Sequence, residues 1–127
     1  FTYHGFRYVR VSCDVPIRPE DFTAIVLSSD NEDLGTFEIS RKDINRLYEN
    51  TRWSQRSNLF SIPTDCPQRE KGGWTGDIQI YAETALLNEN VTPFLTRWLR
   101  NVTCSQQKTA QSPPWFPTPA FMISLNE

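Results

Sequence analysis

The sequence predicts a mainly α chain entered through N-terminal β-strands, and three observations carry that prediction. Aromatic and β-branched residues alternate near the start. The period of the apolar residues changes after about residue 36. Three later segments then carry apolar stripes at helical spacing, separated by Pro- and Gly-rich breaks.

Residues 1 to 12 place Tyr3, Phe6, Tyr8, Val9 and Val11 in a run suited to a strand pair, or to one strand with a bulge near Gly5. "PIRPED" is loop chemistry because its two prolines remove ladder donors. "FTAIVLSSD" from Phe22 reads as a second strand, and polar "SSDNEDLG" places a junction at about residues 28 to 36. Ser40 suits a helix N-cap, with Asp43 in the capping-box position, and Ile44, Leu47, Tyr48 and Thr51 share one face. A helix is expected from about Arg41 to Ser57. Asp77 is expected to cap the next helix, whose stripe is Ile78, Tyr81, Ala82, Ala85 and Leu86. A third helix starts at Thr92-Pro93 and buries Phe94, Leu95, Trp98, Leu99 and Val102. From about Gln106 the periodicity dissolves into a Pro-rich tail that leaves Trp115, Phe116 and Phe121 without a local partner.

At 127 residues the chain is one domain's worth at most. A net charge of −2 gives no global basic field for nucleic acid. No stretch approaches the roughly 18 to 20 apolar residues that span a bilayer, and no signal-peptide pattern opens the chain. Nucleic-acid and membrane partners are therefore not expected, and the cellular location stays open. Phe1 stands in the middle of a strand-like pattern, so the chain is expected to be a piece of a longer polypeptide. Cys13, Cys66 and Cys104 cannot all pair internally and show no CxxC spacing; one disulfide with a free thiol is open, and three reduced thiols are the expectation. Asn90-Val-Thr and Asn101-Val-Thr match the glycosylation sequon inside helix-rich sequence, where so short a match arises by chance.

The chemistry concentrates in "SIPTDCPQREKGGWTGD", Ser61 to Asp77. Its prolines and glycines allow Asp65, Glu70 and Asp77 to converge, which a continuous helix or strand would not arrange. Clustered carboxylates raise one another's pKa, so one could serve as a general acid near neutrality. Trp74 could stack on a pyranose ring, and Arg69 and Lys71 could keep the other carboxylates ionised. The same residues also suit a solvated loop in which Asp77 only caps a helix and Trp74 only packs. Composition alone leaves both readings open.

"IPTDCPQREKGGWTGD" resembles the signature of the α-L-rhamnosidases of glycoside hydrolase family seventy-eight. "YHGFRYVRV" is similar to that family's strand closing a β-sandwich before the catalytic barrel. "GTFEISRKDINRLYENTRWSQRSNLFSIPTDCPQR" is similar to the opening of the barrel, and "GDIQIYAETALLNENVTPFLTRWLRNVTCSQQ" to its next helices. The resemblance runs over about residues 3 to 107. It implies a partial (α/α)6 barrel, its first α-hairpin and part of a third helix present, preceded by strands of a β-sandwich. The implied division is residues 1–34 for the sandwich strands and junction, 35–107 for the start of the barrel, and 108–127 for an irregular tail. The activity implied is removal of terminal α-L-rhamnose from glycosides or oligosaccharides with inversion. Glu70 matches the family's general acid. Asp65 and Asp77 match carboxylates that bind rhamnose hydroxyls, Trp74 matches an aromatic lining the pocket, and Arg69 takes a supporting role. Cys66 reads as a structural thiol.

The sequence departs from the family pattern in two places. "REKGGW" stands where many members have "RDERLGW", and the tail loses the usual glycine-containing continuation. An inverting glycosidase also needs a base roughly 6.5–9.5 Å from its acid. In the family the base comes from a later barrel loop, and Glu83 and Glu89 read instead as exposed helix residues. The isolated chain is thus expected to be inactive and to need the remainder of the parent enzyme. A non-catalytic carbohydrate-binding remnant and a degenerate truncated product are the alternatives. No cofactor or metal is demanded by the motif.

Overall fold

The computed structural model describes residues 3–106 and the strand Trp115–Phe116. Helix α1 spans Lys42–Asn58, the two-residue strands β1 (Leu59–Phe60) and β2 (Ile62–Pro63) follow, and β3 (Gly73–Trp74) leads into helix α2, Thr75–Asn88. Helix α3 is Thr92–Cys104, and β4 is Trp115–Phe116. β1 pairs antiparallel with β2, Leu59 opposite Pro63, around Ser61, whose φ of 64° makes the reversal. β3 pairs with β4 through Gly73 opposite Phe116.

The mainly α class holds, and each helix starts close to its expected place. The caps are different. Arg41, not Ser40, is the N-cap of α1; it makes no side-chain cap bond and instead forms an ion pair with Asp43. The entry is bracketed by Asn45, whose Oδ1 accepts the Ile39 N–H at 3.0 Å while Nδ2 donates to the Ile39 carbonyl at 2.8 Å. Asp77 does not cap α2, because Trp74 occupies that position and Asp77 is the third helical residue. There it still complements the helix dipole.

The two N-terminal strands do not form ladders. Residues 6–27 have no strand assignment and are exposed throughout; their only regular element is a 3₁₀ turn at Pro19–Asp21. A strand is stabilised by a hydrogen-bonded neighbour, and alternation alone cannot supply one. The expected tail, residues 108–127, lies outside the described residues apart from β4.

The core sits where α2 and α3 close on the β1–β2 hairpin. Leu59, Ala85, Val91 and Phe94 form one cluster, Ile62, Ile78 and Trp98 another, and Leu95 packs against both. Leu47, Leu86 and Leu99, expected on buried faces, are exposed.

A polar network lies beside this core. Glu89 is only 1% exposed, contrary to the expectation of a solvated helix residue. Its Oε1 accepts from Arg56 Nε at 2.9 Å, and Arg56 Nη2 reaches Asp33 at 2.7 Å. Arg52 completes the group by pairing with Asp33. Backbone bonds run alongside, from Leu34 N–H to the Asn88 carbonyl (3.1 Å) and from Asn90 N–H to the Glu32 carbonyl (2.7 Å). The expected junction is therefore docked against the end of α2. A buried charge that loses its partner is strongly destabilising. Arg56→Ala is expected to lower the stability of the chain by about 3 kcal/mol, read from its urea midpoint, and Glu89→Gln in the same chain should recover part of the loss.

Candidate active site

The turn between β2 and β3 is closed by its first acidic residue. Asp65 N–H donates to the Gly72 carbonyl at 3.0 Å, and Gly72 N–H returns a bond to Asp65 Oδ1 at 2.9 Å. Asp65 Oδ2 accepts the Cys66 thiol at 3.0 Å, and the same sulfur accepts the Glu70 N–H at 3.3 Å. Cys66 is thus a structural thiol that links the two acids, and all three cysteines are free. A Cβ on Gly72 would lie 3.0 Å from Trp74 Nε1 and 3.6 Å from Asp65 Oδ1, so a side chain there would push into the site.

Within this turn Glu70 has two donors. Arg69 Nη2 lies 2.7 Å from Oε1, and Trp74 Nε1 donates to Oε2 at 3.1 Å. Trp74 therefore holds the carboxylate by its indole N–H, a contact beyond the ring-lining role expected of it. Arg69 is largely exposed, so its pairing contributes orientation more than stability. Lys71 does not serve the carboxylates as expected. Its ammonium donates to the Tyr3 carbonyl at 2.6 Å.

A cleft of about 350 Å³ opens beside the turn, between α1 and α2. Asp65 and Asp77 both line it, together with Gln55, Asn58 and Tyr81, which sequence reasoning did not single out. Gln55 Oε1 accepts from Tyr81 OH at 3.2 Å and from Asn88 Nδ2 at 2.9 Å, so this wall is rigidly hydrogen-bonded. The signal for Gln55 is a polar residue at a helical position facing the core, but nothing in its spacing marks it. Glu70, Arg69 and Trp74 do not line this cleft; they adjoin it through the Asp65–Cys66–Glu70 bonds.

The expected mutual raising of carboxylate pKa values does not apply to Asp65. Burial pushes its carboxyl up, but the Cys66 thiol and the Gly72 and Cys66 amides together outweigh burial and hold it below the ordinary 3.8. Asp65 is thus an ionised hydrogen-bond acceptor at neutral pH. Burial raises Tyr81 above its ordinary value, so the cleft presents a neutral phenol. Among the described residues no three His, Cys, Asp or Glu side chains converge to hold a metal ion, and no helix is long and apolar enough to cross a membrane.

Three helices, with an acidic turn beside a cleft between the first two, give the chain a mainly α-helical unit that carries its candidate site. Residues 32–126 match the bacterial α-L-rhamnosidase six-hairpin glycosidase domain, and the chain belongs to that family. An α-L-rhamnosidase of Formosa agariphila is 42% identical over 110 residues, which are 84% of this chain and 12% of the relative. The structure of an α-L-rhamnosidase from Aspergillus terreus superposes with a TM-score of 0.74 at 44% identity, over 83% of this chain and 12% of that one. The Streptomyces avermitilis α-L-rhamnosidase, solved in complex with L-rhamnose, gives 0.69 at 35% identity over 72% of this chain and 9% of that one. The chain thus spans about a tenth of the length of the relatives it matches.

The lowered Asp65 has a consequence for stability. Folded Asp65 binds its proton less readily than unfolded Asp65, so its contribution is complete above the ordinary carboxylate range and is lost as pH falls through the lowered folded value. The same sign holds for Asp33, lowered chiefly by its bond from Arg52, with burial opposing and Arg56 adding. The urea midpoint should fall between pH 5 and pH 2. Asp65→Asn should reduce that fall without abolishing it, because Asp33 still titrates.

Proposed function

We propose that this chain supplies the general-acid half of an α-L-rhamnosidase active site. The observation that carries the reading is the closed turn in which Arg69 and Trp74 hold Glu70 next to a cleft lined by Asp65 and Asp77. Glu70 is the acid: protonated, it gives its proton to the glycosidic oxygen as the bond to the anomeric carbon breaks. With the proton on Oε1, where Arg69 now sits, Oε2 keeps its bond from Trp74. Asp65 and Asp77 accept hydrogen bonds from rhamnose hydroxyls, Trp74 lines the ring, and Arg69 returns to Glu70 when the proton has left. A base carboxylate from the rest of the parent enzyme takes a proton from water as its oxygen bonds the opposite face, which inverts the configuration.

On this reading residues 1–34 belong to the end of a preceding β-sandwich and its junction, with the strand neighbours they lack in this chain supplied by the rest of the parent enzyme, residues 35–107 to the start of the barrel, and 108–127 to a tail. Ile80 and Leu87 on α2 are 86% and 79% exposed, as suits faces that further helical hairpins cover. The partner of this chain is then the remainder of the parent enzyme, and its substrate is a terminal α-L-rhamnoside.

In the parent-length polypeptide, Glu70→Gln is expected to lower kcat on an aryl α-L-rhamnoside by about 10²–10⁴-fold. The 127-residue chain alone should give no turnover. An unchanged kcat in the Glu70→Gln parent would remove Glu70 from the acid role, and turnover by the chain alone that depends on Glu70 would refute its inactivity. Saturable L-rhamnose binding to the chain without any turnover in the parent would instead favour a carbohydrate-binding remnant.

A further inference from the structure

We propose that Lys71 is a positioning residue for Glu70 and that Tyr3 is the anchor it works against. The proposal rests on the rhamnosidase reading only for what Glu70 does. Lys71 has a φ of 53°, in the left-handed region that side-chain-bearing residues seldom occupy. Gly72 and Gly73 follow directly and would adopt such a φ with less strain, yet no described glycine has positive φ. Something must hold Lys71 there.

Its ammonium supplies the hold. Nζ donates to the Tyr3 carbonyl at 2.6 Å and lies 4.9 Å from the centre of the Tyr3 ring, so one cation is engaged by both a dipole and an aromatic face. Tyr3 is itself fixed, its ring meeting Phe60 of β1 edge-on at 5.0 Å. Two residues on, Gly5 N–H donates to the Pro67 carbonyl at 3.2 Å. A Cβ on Gly5 would lie 3.0 Å from backbone atoms of Pro67 and Gln68, so the two segments touch main chain to main chain. The N-terminal segment therefore grips the turn at Pro67 and at Lys71, on either side of Glu70. Between the grips, the Glu70 N–H is held by Cys66. Glu70 is oriented by a segment that precedes the helical unit, and Lys71 is the side chain that connects them.

The test uses the full chain labelled with ¹⁵N, reading amide exchange at Gly5 and the indole N–H resonance of Trp74, assigned with Trp74→Phe. Lys71→Met should raise Gly5 exchange about tenfold and move the Trp74 indole resonance, while Lys71→Arg, which keeps a cationic donor, should restore both. Tyr3→Ala, which removes the ring but keeps the carbonyl acceptor, should move the same two signals by less, and the double variant should move them no further than Lys71→Met alone. Protection of α3 amides verifies the fold. If Lys71→Met loses that protection, Tyr3→Ala and Lys71→Arg decide the matter by the same criteria. Wild-type Gly5 exchange and an unmoved Trp74 indole in Lys71→Met would overturn the proposal, as would failure of arginine to restore them or simple addition of the two effects. These readouts involve no turnover. A Glu70→Gln parent with undiminished activity would sink the rhamnosidase reading and leave the grip of Lys71 on Tyr3 standing.

Discussion

Asp65 closes the turn that presents Glu70: its N–H donates to the Gly72 carbonyl, and its carboxylate accepts from the Gly72 amide and from the Cys66 thiol. A loop from Asp65 to Gly72 has no ladder of its own to limit its conformations, and each ordered residue carries an entropic cost of about 1–2 kcal/mol. An ionised acceptor facing inward offsets that cost at a single point, because hydrogen bonds to a charged group are about twice as strong as neutral ones. The thiol extends the effect, since Cys66 also receives the Glu70 amide. Trp74 can then donate to Glu70 only because Gly72 leaves space for the indole. Remove the Asp65 charge and each later contact loses its reference point.

The surrounding fold makes this arrangement possible by being rigid on three sides. The β1–β2 hairpin buries Leu59 and Ile62 against α2 and α3 and so sets where the turn begins. The start of α2, directly after Trp74, sets where it ends. At the end of α2, the Arg56–Glu89 pair and the Asp33 bonds fasten the segment around residue 33 to α1 and α2. This region uses buried polar groups in place of apolar volume, and it is stable only because each charge has a partner at hydrogen-bond distance.

What the sequence discloses follows the range of the interactions concerned. Helices α1, α2 and α3 are legible because their apolar residues repeat locally, and the Pro- and Gly-rich break between the first two is legible as a turn. Asp65 and Asp77 do meet at one cleft, and Glu70, Arg69 and Trp74 meet each other, but their division into two adjoining groups depends on bond directions that spacing does not encode. The Lys71–Tyr3 contact joins residues 68 positions apart, and Arg56 meets Glu89 across 33. Neither leaves a periodic trace, so spacing alone makes Lys71 a carboxylate partner and Glu89 a solvated helix residue. The expected N-terminal strands fail for a related reason, since their alternation describes a surface that could pair and the described residues supply nothing for them to pair with.

The most direct test of this account is amide exchange at Gly72 in the wild-type chain and in Asp65→Asn. If the ionised Asp65 carboxylate closes the turn, the wild-type Gly72 amide is protected, and the substitution raises its exchange by at least about tenfold while α3 stays protected. A wild-type Gly72 amide exchanging as fast as an open loop, or one indifferent to Asp65→Asn, would contradict it.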